Sequence, residues 1–345
     1  MPIEFGPTGP AEQVEVARFL ADVFQMPDAP FLDPALMRWK YFDPRADFEG
    51  SRSFAMRNNG AIAAHGVAFP LTFRSGSRDI KGMIIGDWAG SASVPGAGGL
   101  LYRKMLGLVD FLIGVGGSDD ARRVLPRMGF RVDSEEAMYA RPVRPLRLAA
   151  RKPGGLHWKT AAKFGRNLAW SFGSLAPADG WSAEPVSEFD AGMDSLIAGC
   201  AAANLRSLRT AGRLNYALRC PGAKMRGYLL KQDGKARGYC LTSEVLGQTR
   251  IADLGVDNAD SYAPAYGAVV RAAAGDPETL EILAGTNDAA MAAALESNSF
   301  RVSGRTPVFV LDPKKTLEGL PKIDIQMIEG DEFFLKSPGY PFQTA

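Results

Sequence analysis

Ser53-Phe54-Ala55-Met56-Arg57-Asn58-Asn59-Gly60-Ala61-Ile62-Ala63-Ala64-His65-Gly66 reads as two strand-like runs around an Asn-Gly turn. Asn-Gly is a strong short-range hairpin signal, because both central turn residues need positive φ. The same arrangement returns at Gly227-Tyr228-Leu229-Leu230-Lys231-Gln232-Asp233-Gly234-Lys235-Ala236-Arg237-Gly238-Tyr239, with Asp-Gly at the turn. The repeat extends outward from these hairpins. Before the first stands Trp39-Lys40-Tyr41-Phe42-Asp43-Pro44; before the second stands Leu214-Asn215-Tyr216-Ala217-Leu218-Arg219-Cys220-Pro221. After them, Met83–Ala89 matches Arg250–Gly255, each an apolar strand carrying an aspartate. Last, Phe111–Val115 leading to Gly129-Phe130 matches Leu280–Ala284 leading to Ser299-Phe300.

The offsets between the copies stay close: 175 for Tyr41 and Tyr216, 174 for Gly60 and Gly234, 166 for Asp87 and Asp253, 170 for Phe130 and Phe300. Four elements in one order at a nearly constant spacing predict an internal duplication. Each copy reads helix, hairpin, strand, loop and helix, strand, helix, strand. The spacing predicts opening helices over Glu12–Phe24 and Ser187–Asn204. The expected organisation is a domain over 1–145, a basic linker over 146–180, a second domain over 181–320 and a tail over 321–345.

The chain has 345 residues, enough for two domains, each able to bury a core. Its formal net charge of +2 argues neither for nor against an acidic partner. Three cysteines, Cys200, Cys220 and Cys240, form no short ligand pair, and the only histidines are His65 and His157. No metal site is expected. The N-terminal stretch does not read as a signal peptide and no apolar run reaches membrane-span length, so a cytoplasmic location is expected.

The stretch with most chemical content is Ser93-Val94-Pro95-Gly96-Ala97-Gly98-Gly99, between a strand and a helix. Glycines let the backbone approach a ligand, and first-turn N–H groups can hold an anion. Read alone, it is equally a connector without a ligand. Ser93-x-x-Gly96-x-Gly98 resembles the pyrophosphate loop of the GNAT family of acyl-CoA N-acyltransferases, Arg/Gln-x-x-Gly-x-Gly/Ala, with Ser at the first position. Ser118-x-x-Ala121 through Gly129-Phe130 is similar to that family's closing Asn-x-x-Ala and Gly-Phe, again with Ser replacing the polar residue. Pro126 departs from the pattern and should kink the intervening helix.

The resemblance implies an α/β fold of two tandem GNAT-like domains, each a mixed, largely antiparallel twisted sheet flanked by helices. It implies acetyl-CoA or another acyl-CoA as donor and an amine of a small metabolite or sugar precursor as acceptor. Trp88, Ser93, Val94, Gly96, Ala97, Gly98, Gly99 and Ser118 are the positions it points to for the donor. The second copy reads Tyr262-Ala263-Pro264-Ala265-Tyr266-Gly267 where the first has its glycine loop. Ala265 at the place of Gly96, with two aromatics, should crowd a diphosphate.

Direct transfer needs a base for the acceptor amine. Asp87 ends the strand before the loop and suits that role, or is a turn carboxylate, as its repeat at Asp253 suggests. His65 titrates near neutrality and suits it too, or is a hydrogen-bonded core histidine. Tyr102 and Tyr139 are candidate acids or packing residues. Residues 141–178 contain no Asp or Glu, and Trp158–Phe172 spaces Trp158, Ala161, Ala162, Gly165, Ala169 and Phe172 along one helical face. That face either docks between domains or makes weak contact with a membrane surface through 151–172; aromatics are too sparse for a nucleic-acid platform. Two other functions stay open: a non-catalytic CoA- or ligand-binding scaffold, favoured by Ser93 in place of the loop's Arg/Gln and by the lack of a clear acid–base pair, and a FemAB-like aminoacyl transferase, disfavoured by the lack of a long charged helical arm.

Overall fold

The computed structural model describes residues 3–151, 158–336 and 341–344, without the side chains of 158–163. The chain divides into two compact units, residues 1–134 with 307–322, and residues 135–306 with 323–345.

In unit 1 the order is β1 (Glu4–Pro7), α1 (Gln13–Phe24), α2 (Pro34–Tyr41), β2 (Ser53–Asn58), β3 (Ala61–Ser75), β4 (Arg78–Gly90), α3 (Ala97–Leu106), β5 (Phe111–Val115) and α4 (Asp119–Val124). The Asn-Gly hairpin forms as expected, with Asn59 at φ 52 and Gly60 at φ 82. Strands β1 to β4 are antiparallel neighbours in sequence order, and β4 then pairs in parallel with β5. The far side of β5 is closed by Val308–Leu311, antiparallel. Pro126 ends α4 and opens a 3-10 turn over Pro126–Met128, so the helix breaks as its ring requires. Strand β6 (Arg131–Pro142) starts in this unit and runs on into the other.

Unit 2 continues through α5 (Pro145–Ala150), α6 (Trp158–Ser171), β7 (Trp181–Val186), α7 (Asp194–Ala198), α8 (Ala211–Leu218), β8 (Lys224–Gln232), β9 (Lys235–Val245), β10 (Gln248–Val256), α9 (Tyr262–Gly275), β11 (Glu281–Thr286), α10 (Ala289–Ser297) and β12 (Arg301–Leu311). Its pairing repeats that of unit 1: β7 to β10 antiparallel in order, β10 parallel to β11, and β11 closed by Ala137–Pro142. Each unit thus takes its sixth strand from a segment distant in sequence.

The sheets are covered on both faces. Successive strand residues point to opposite sides. In β3, His65 meets Tyr41 of α2, while a Cβ on Gly66 would meet Leu101 and Met105 of α3. Helices α2 and α3 therefore lie on opposite faces of the unit 1 sheet. The α3 side packs Leu101, Tyr102 and Met105 against Ala64, Ala68, Met83 and Ile85. In unit 2, Ala265, Tyr266 and Val269 of α9 pack on Leu230, Cys240 and Ile251.

Three sequence expectations change. The helix expected over Ser187–Asn204 shrinks to α7 with a 3-10 turn before it. Asn215 grips both main-chain groups of Phe189 at 2.8 Å and holds that stretch extended, and Ala201 N–H turns away to Val256 O. Tyr262–Gly267 is no loop but the start of α9; Pro264 is tolerated there because first-turn N–H groups have no helical acceptor. On α6 the inward residues are Asn167 and Trp170, while Gly165, Ala169 and Phe172 are exposed, Phe172 by 81%. Trp170 Nε1 donates to Ser299 O at 2.6 Å and Asn167 Nδ2 to Thr344 O at 2.7 Å, and these bonds set the helix rotation. The expected Trp158, Ala161 and Ala162 side chains and Lys152 lie outside the described residues.

Candidate functional site

The glycine-rich corner of unit 1 forms where β4 passes into α3. Gly96 is the N-cap, in the left-handed region at φ 84, and a Cβ there would meet nothing within 4 Å. No side chain caps α3, and its first turn contains no acid. Ala97 is buried and its N–H already donates to Val94 O at 3.2 Å, so it is not a free donor. Gly98 and Gly99 supply the next two N–H groups, which an α-helix leaves without intrahelical acceptors. Ser93 is exposed and its hydroxyl bonds Ser91 Oγ at 2.7 Å beside this corner; Val94 packs on the core. Trp88 Nε1 donates to Gly98 O at 3.2 Å, and its ring meets Tyr102 edge-on at 4.8 Å. The indole therefore fixes α3 against β4. Ser118 accepts from Ala121 N–H as the N-cap of α4.

Strand β4 leaves its neighbour just before this corner. The parallel pairing with β5 runs from Gly82 to Ile84, while β4 continues to Gly90. Opposite Gly66 the register of β3 and β4 slips, with His65 facing Ala89 and Val67 facing Gly86. Asp87 lies in this bulge with φ 44, a left-handed conformation that Asp tolerates better than most residues. The bulge turns the Asp87 side chain towards α2.

There Tyr41 Oη donates to Asp87 Oδ2 at 2.5 Å, and Lys40 Nζ ion-pairs with the same oxygen without hydrogen-bond alignment. The Lys40 and Asp87 side chains are 1% and 6% exposed. Arg52, also buried, donates to the carbonyls of Trp39, Lys40 and Asp43, closing the C-terminal end of α2 and fixing these side chains in place. His65 is fully buried. Its Nε2 lies 2.8 Å from Ser53 Oγ, which accepts from Thr8 Oγ1 at 2.6 Å, and its Nδ1 lies 3.3 Å from Asp87 O. The Asp87 carbonyl calls for a proton on Nδ1, and Ser53 Oγ, accepting from Thr8, is then placed to donate to Nε2 of a neutral ring. Burial lowers the pKa of His65 to about 4, against the opposing pull of Asp87.

Of the residues singled out in the sequence, Trp88, Ser93, Gly96, Gly98 and Gly99 lie together at the corner, and Asp87 and His65 meet at the bulge. Ser118 starts a separate helix after β5. Tyr102 is core, its phenol pushed above the ordinary range by burial. Tyr139 belongs to unit 2, where it pairs with Ala284. Lys40 and Tyr41 were missed as site residues; the repeated Tyr41 and Tyr216 was the available signal.

Unit 2 builds the same place differently. Asp253 lies at the matching bulge in β10, bonded by Arg209 at 2.7 and 3.2 Å and by Tyr239 Oη at 3.0 Å. Burial opposes the charge on Asp253, but Arg209, Arg206 and Arg213 hold its pKa below the ordinary value. The turn before α9 carries Asp257 and Asp260, and Tyr262, Ala265 and Tyr266 are buried. Acidic residues at a helix N-terminus repel an anion. Among the described residues no group of acids, cysteines and histidines is arranged to hold a metal, and no helix is long and apolar enough to cross a membrane.

No family model matches the sequence, and no curated protein matches it. Solved structures do match. A conserved protein of unknown function from Enterococcus faecalis, a probable N-acyltransferase, superposes with TM-score 0.58 at 13% identity, covering 90% of this chain and 72% of that one. A GCN5-related N-acetyltransferase from Anabaena variabilis gives TM-score 0.59 at 10% identity, covering 90% and 73%. A chain from Pyrococcus horikoshii gives 0.51 at 11% identity over 98% and 95%. The chain has the GCN5-related N-acetyltransferase fold.

Proposed function

We propose that unit 1 is an acyl-CoA-dependent N-acyltransferase that passes an acyl group, acetyl in the simplest case, to the amine of a small molecule. The observation that carries this reading is the opening between β4 and β5 beyond Ile84, next to the uncapped N-terminus of α3 at Gly96. An acyl-CoA donor supplies a diphosphate, an amide-bearing arm and a thioester. The N–H groups of Gly98 and Gly99 and the dipole of α3 hold the diphosphate, with Ser93 beside them. The edge of β4 over 85–90 that β5 leaves uncovered, with its other edge still paired to β3, binds the arm, and an N–H past the bulge stabilises charge on the thioester oxygen. Trp88 keeps the corner rigid.

Asp87, on the opposite face from α3, takes the proton from the acceptor amine, with Tyr41 and Lys40 fixing its direction. His65 is a positioning residue: its ring is inaccessible and supports the bulge through Asp87 O. Unit 2 binds no acyl-CoA, because acids and buried aromatics stand where unit 1 has glycines.

A non-catalytic acyl-CoA-binding protein is the second reading. The ion pair of Lys40 with Asp87 favours it, since Lys40 and Tyr41 both occupy Oδ2 of a carboxylate that is only 6% exposed. Two measurements decide. Acetyl-CoA is expected to raise the melting temperature of the wild type, and thiol release is expected with at least one member of an amine panel. Stabilisation without turnover on any amine selects the second reading, and no stabilisation removes both.

A further inference from the structure

In unit 2 the parallel pairing of β10 with β11 ends at Ile251 and Ala284, yet β10 continues to Val256. This is the counterpart of the opening beside β4, and here it is filled. The segment 323–329 enters between the two strands. Gln326 bridges to Thr286 of β11, and its side-chain amide spans to β10. Leu254 N–H donates to Gln326 Oε1 at 2.9 Å and Gln326 Nε2 donates to Leu254 O at 3.3 Å. One carboxamide thus satisfies both main-chain groups of a strand residue that has lost its neighbour.

Three residues on, Glu329 closes the adjoining space. Its Oε1 accepts from Ser207 Oγ at 2.9 Å and faces Arg209 Nη1 at 2.7 Å and Arg213 Nη2 at 3.5 Å. The second oxygen accepts from Gln326 N–H at 3.1 Å. The segment is anchored upstream by Asn287, which bonds Ile323 O and Ile325 N–H, and by Arg206 on Asp324 at 2.5 Å. Gln326 and Glu329 are 2% and 1% exposed. The Gln326 carboxamide and both Glu329 oxygens thus each meet a partner, whereas one oxygen of Asp324, Oδ1, has none.

From this we infer that unit 2 carries a ligand cleft whose occupant is the chain's own segment 323–329. The Gln326 carboxamide takes the place of a ligand amide on β10, and Glu329 fills a carboxylate-binding pocket formed by Ser207, Arg209 and Arg213. The inference rests on the fold reading that the two openings correspond. It does not rest on acyl transfer by unit 1. The ligand class for the pocket is a small carboxylate, since two guanidinium groups and a hydroxyl converge on one carboxylate oxygen.

The test uses the full chain with Glu329→Gly, which removes the carboxylate and leaves its receptors. The variant should melt lower than wild type. Formate or acetate should then raise its melting temperature by more than either raises wild type in the same salt, and chloride at equal ionic strength should not. Equal responses of variant and wild type overturn the carboxylate pocket. If Glu329→Gly does not fold, Glu329→Gln and Gln326→Ala keep the proposal testable by hydrogen exchange. In Gln326→Ala the peptide spanning 251–256 should exchange at least about tenfold faster, with the unit 1 peptide 85–90 unchanged. Unchanged exchange at 251–256 overturns the role of Gln326. Neither result depends on CoA, so failure here and failure of the transferase reading are separate outcomes.

Discussion

Tyr41 donates to Asp87 Oδ2 at 2.5 Å, and its chain neighbour Lys40 ion-pairs with the same oxygen. One carboxylate oxygen thus carries both partners, and neither side chain reaches water appreciably. Removing one member of a buried pair leaves the other charge uncompensated, at a cost of about 3–5 kcal/mol. Asp87→Ala should therefore destabilise strongly in urea unfolding. Adding Lys40→Met should recover most of that loss, because the stranded charge is gone. Activity should stay absent in the double variant. A double variant as unstable as Asp87→Ala would show that the ion pair is not what stabilises the bulge.

His65 makes unit 1 sensitive to acid. Its folded-state pKa is about 4 against an ordinary value of 6.5. The unfolded chain therefore binds the proton more readily between those values. The stability contributed by neutral His65 is complete above 6.5 and is lost as pH falls towards 4. The full loss is about 3 kcal/mol. Glu136 and Glu332 act in the opposite sense: burial raises Glu136 well above its ordinary range and raises Glu332 to about 7, so each weakens the fold as pH rises from the ordinary Glu value. The informative quantity is the difference between wild type and His65→Gln. Urea unfolding from pH 7 to pH 4 should show that difference shrinking as pH falls. A constant difference would mean that His65 does not titrate as a buried neutral ring.

Gly96 and Gly99 separate backbone strain from anion binding. Gly96 sits at φ 84, where any L side chain is strained. Gly96→Asp should cost about 1–2 kcal/mol and set a negative charge at the helix start. The acetyl-CoA-dependent rise in melting temperature should vanish. Gly99 lies inside α3 and an added Cβ meets nothing within 4 Å. Gly99→Ala should raise stability by roughly 0.5–1 kcal/mol, since Gly is the poorer helix former. It also places a methyl near the expected diphosphate and should weaken acetyl-CoA binding. Wild-type affinity in Gly96→Asp would move the donor site away from this corner.

What could be read from the sequence was what local chemistry encodes. Asn59-Gly60 and Asp233-Gly234 announce their hairpins because positive φ is a property of those residues, and all four adopt it. Gly96 was legible as part of a glycine-lined corner between a strand and a helix, where it caps α3 at positive φ. The partners of Asp87 were not, because Tyr41 lies 46 positions away and nothing local marks the contact. The helix predicted over Ser187–Asn204 failed because Asn215, far along the chain, competes for the backbone of Phe189. Phe172 fitted an apolar stripe by spacing, yet the bonds of Trp170 to Ser299 O and of Asn167 to Thr344 O set which side of α6 faces inward. Residues 308–311 carry no local mark of their partner, so their pairing with β5 was not foreseen.

That pairing has a consequence for any fragment. Residues 1–145 contain every strand of the unit 1 sheet except Val308–Leu311, which pairs with Leu112–Val115. The fragment would expose the edge of β5 and lose Phe309 and Leu311 from the core that holds Phe130 and Leu125. An open apolar edge favours pairing with another chain. Fragment 1–145 should therefore associate or aggregate on size exclusion and lack a cooperative melt. Joining residues 307–322 through a flexible linker to residues 1–134, which omit the segment 137–142 that pairs with β11, should restore a monomer with a sharp transition. The linker adds little entropic cost, because closure grows only slowly with loop length. A monomeric, cooperatively melting 1–145 would show that β5 does not need its distant partner, and that the two halves of the repeat fold independently of the exchanged segments.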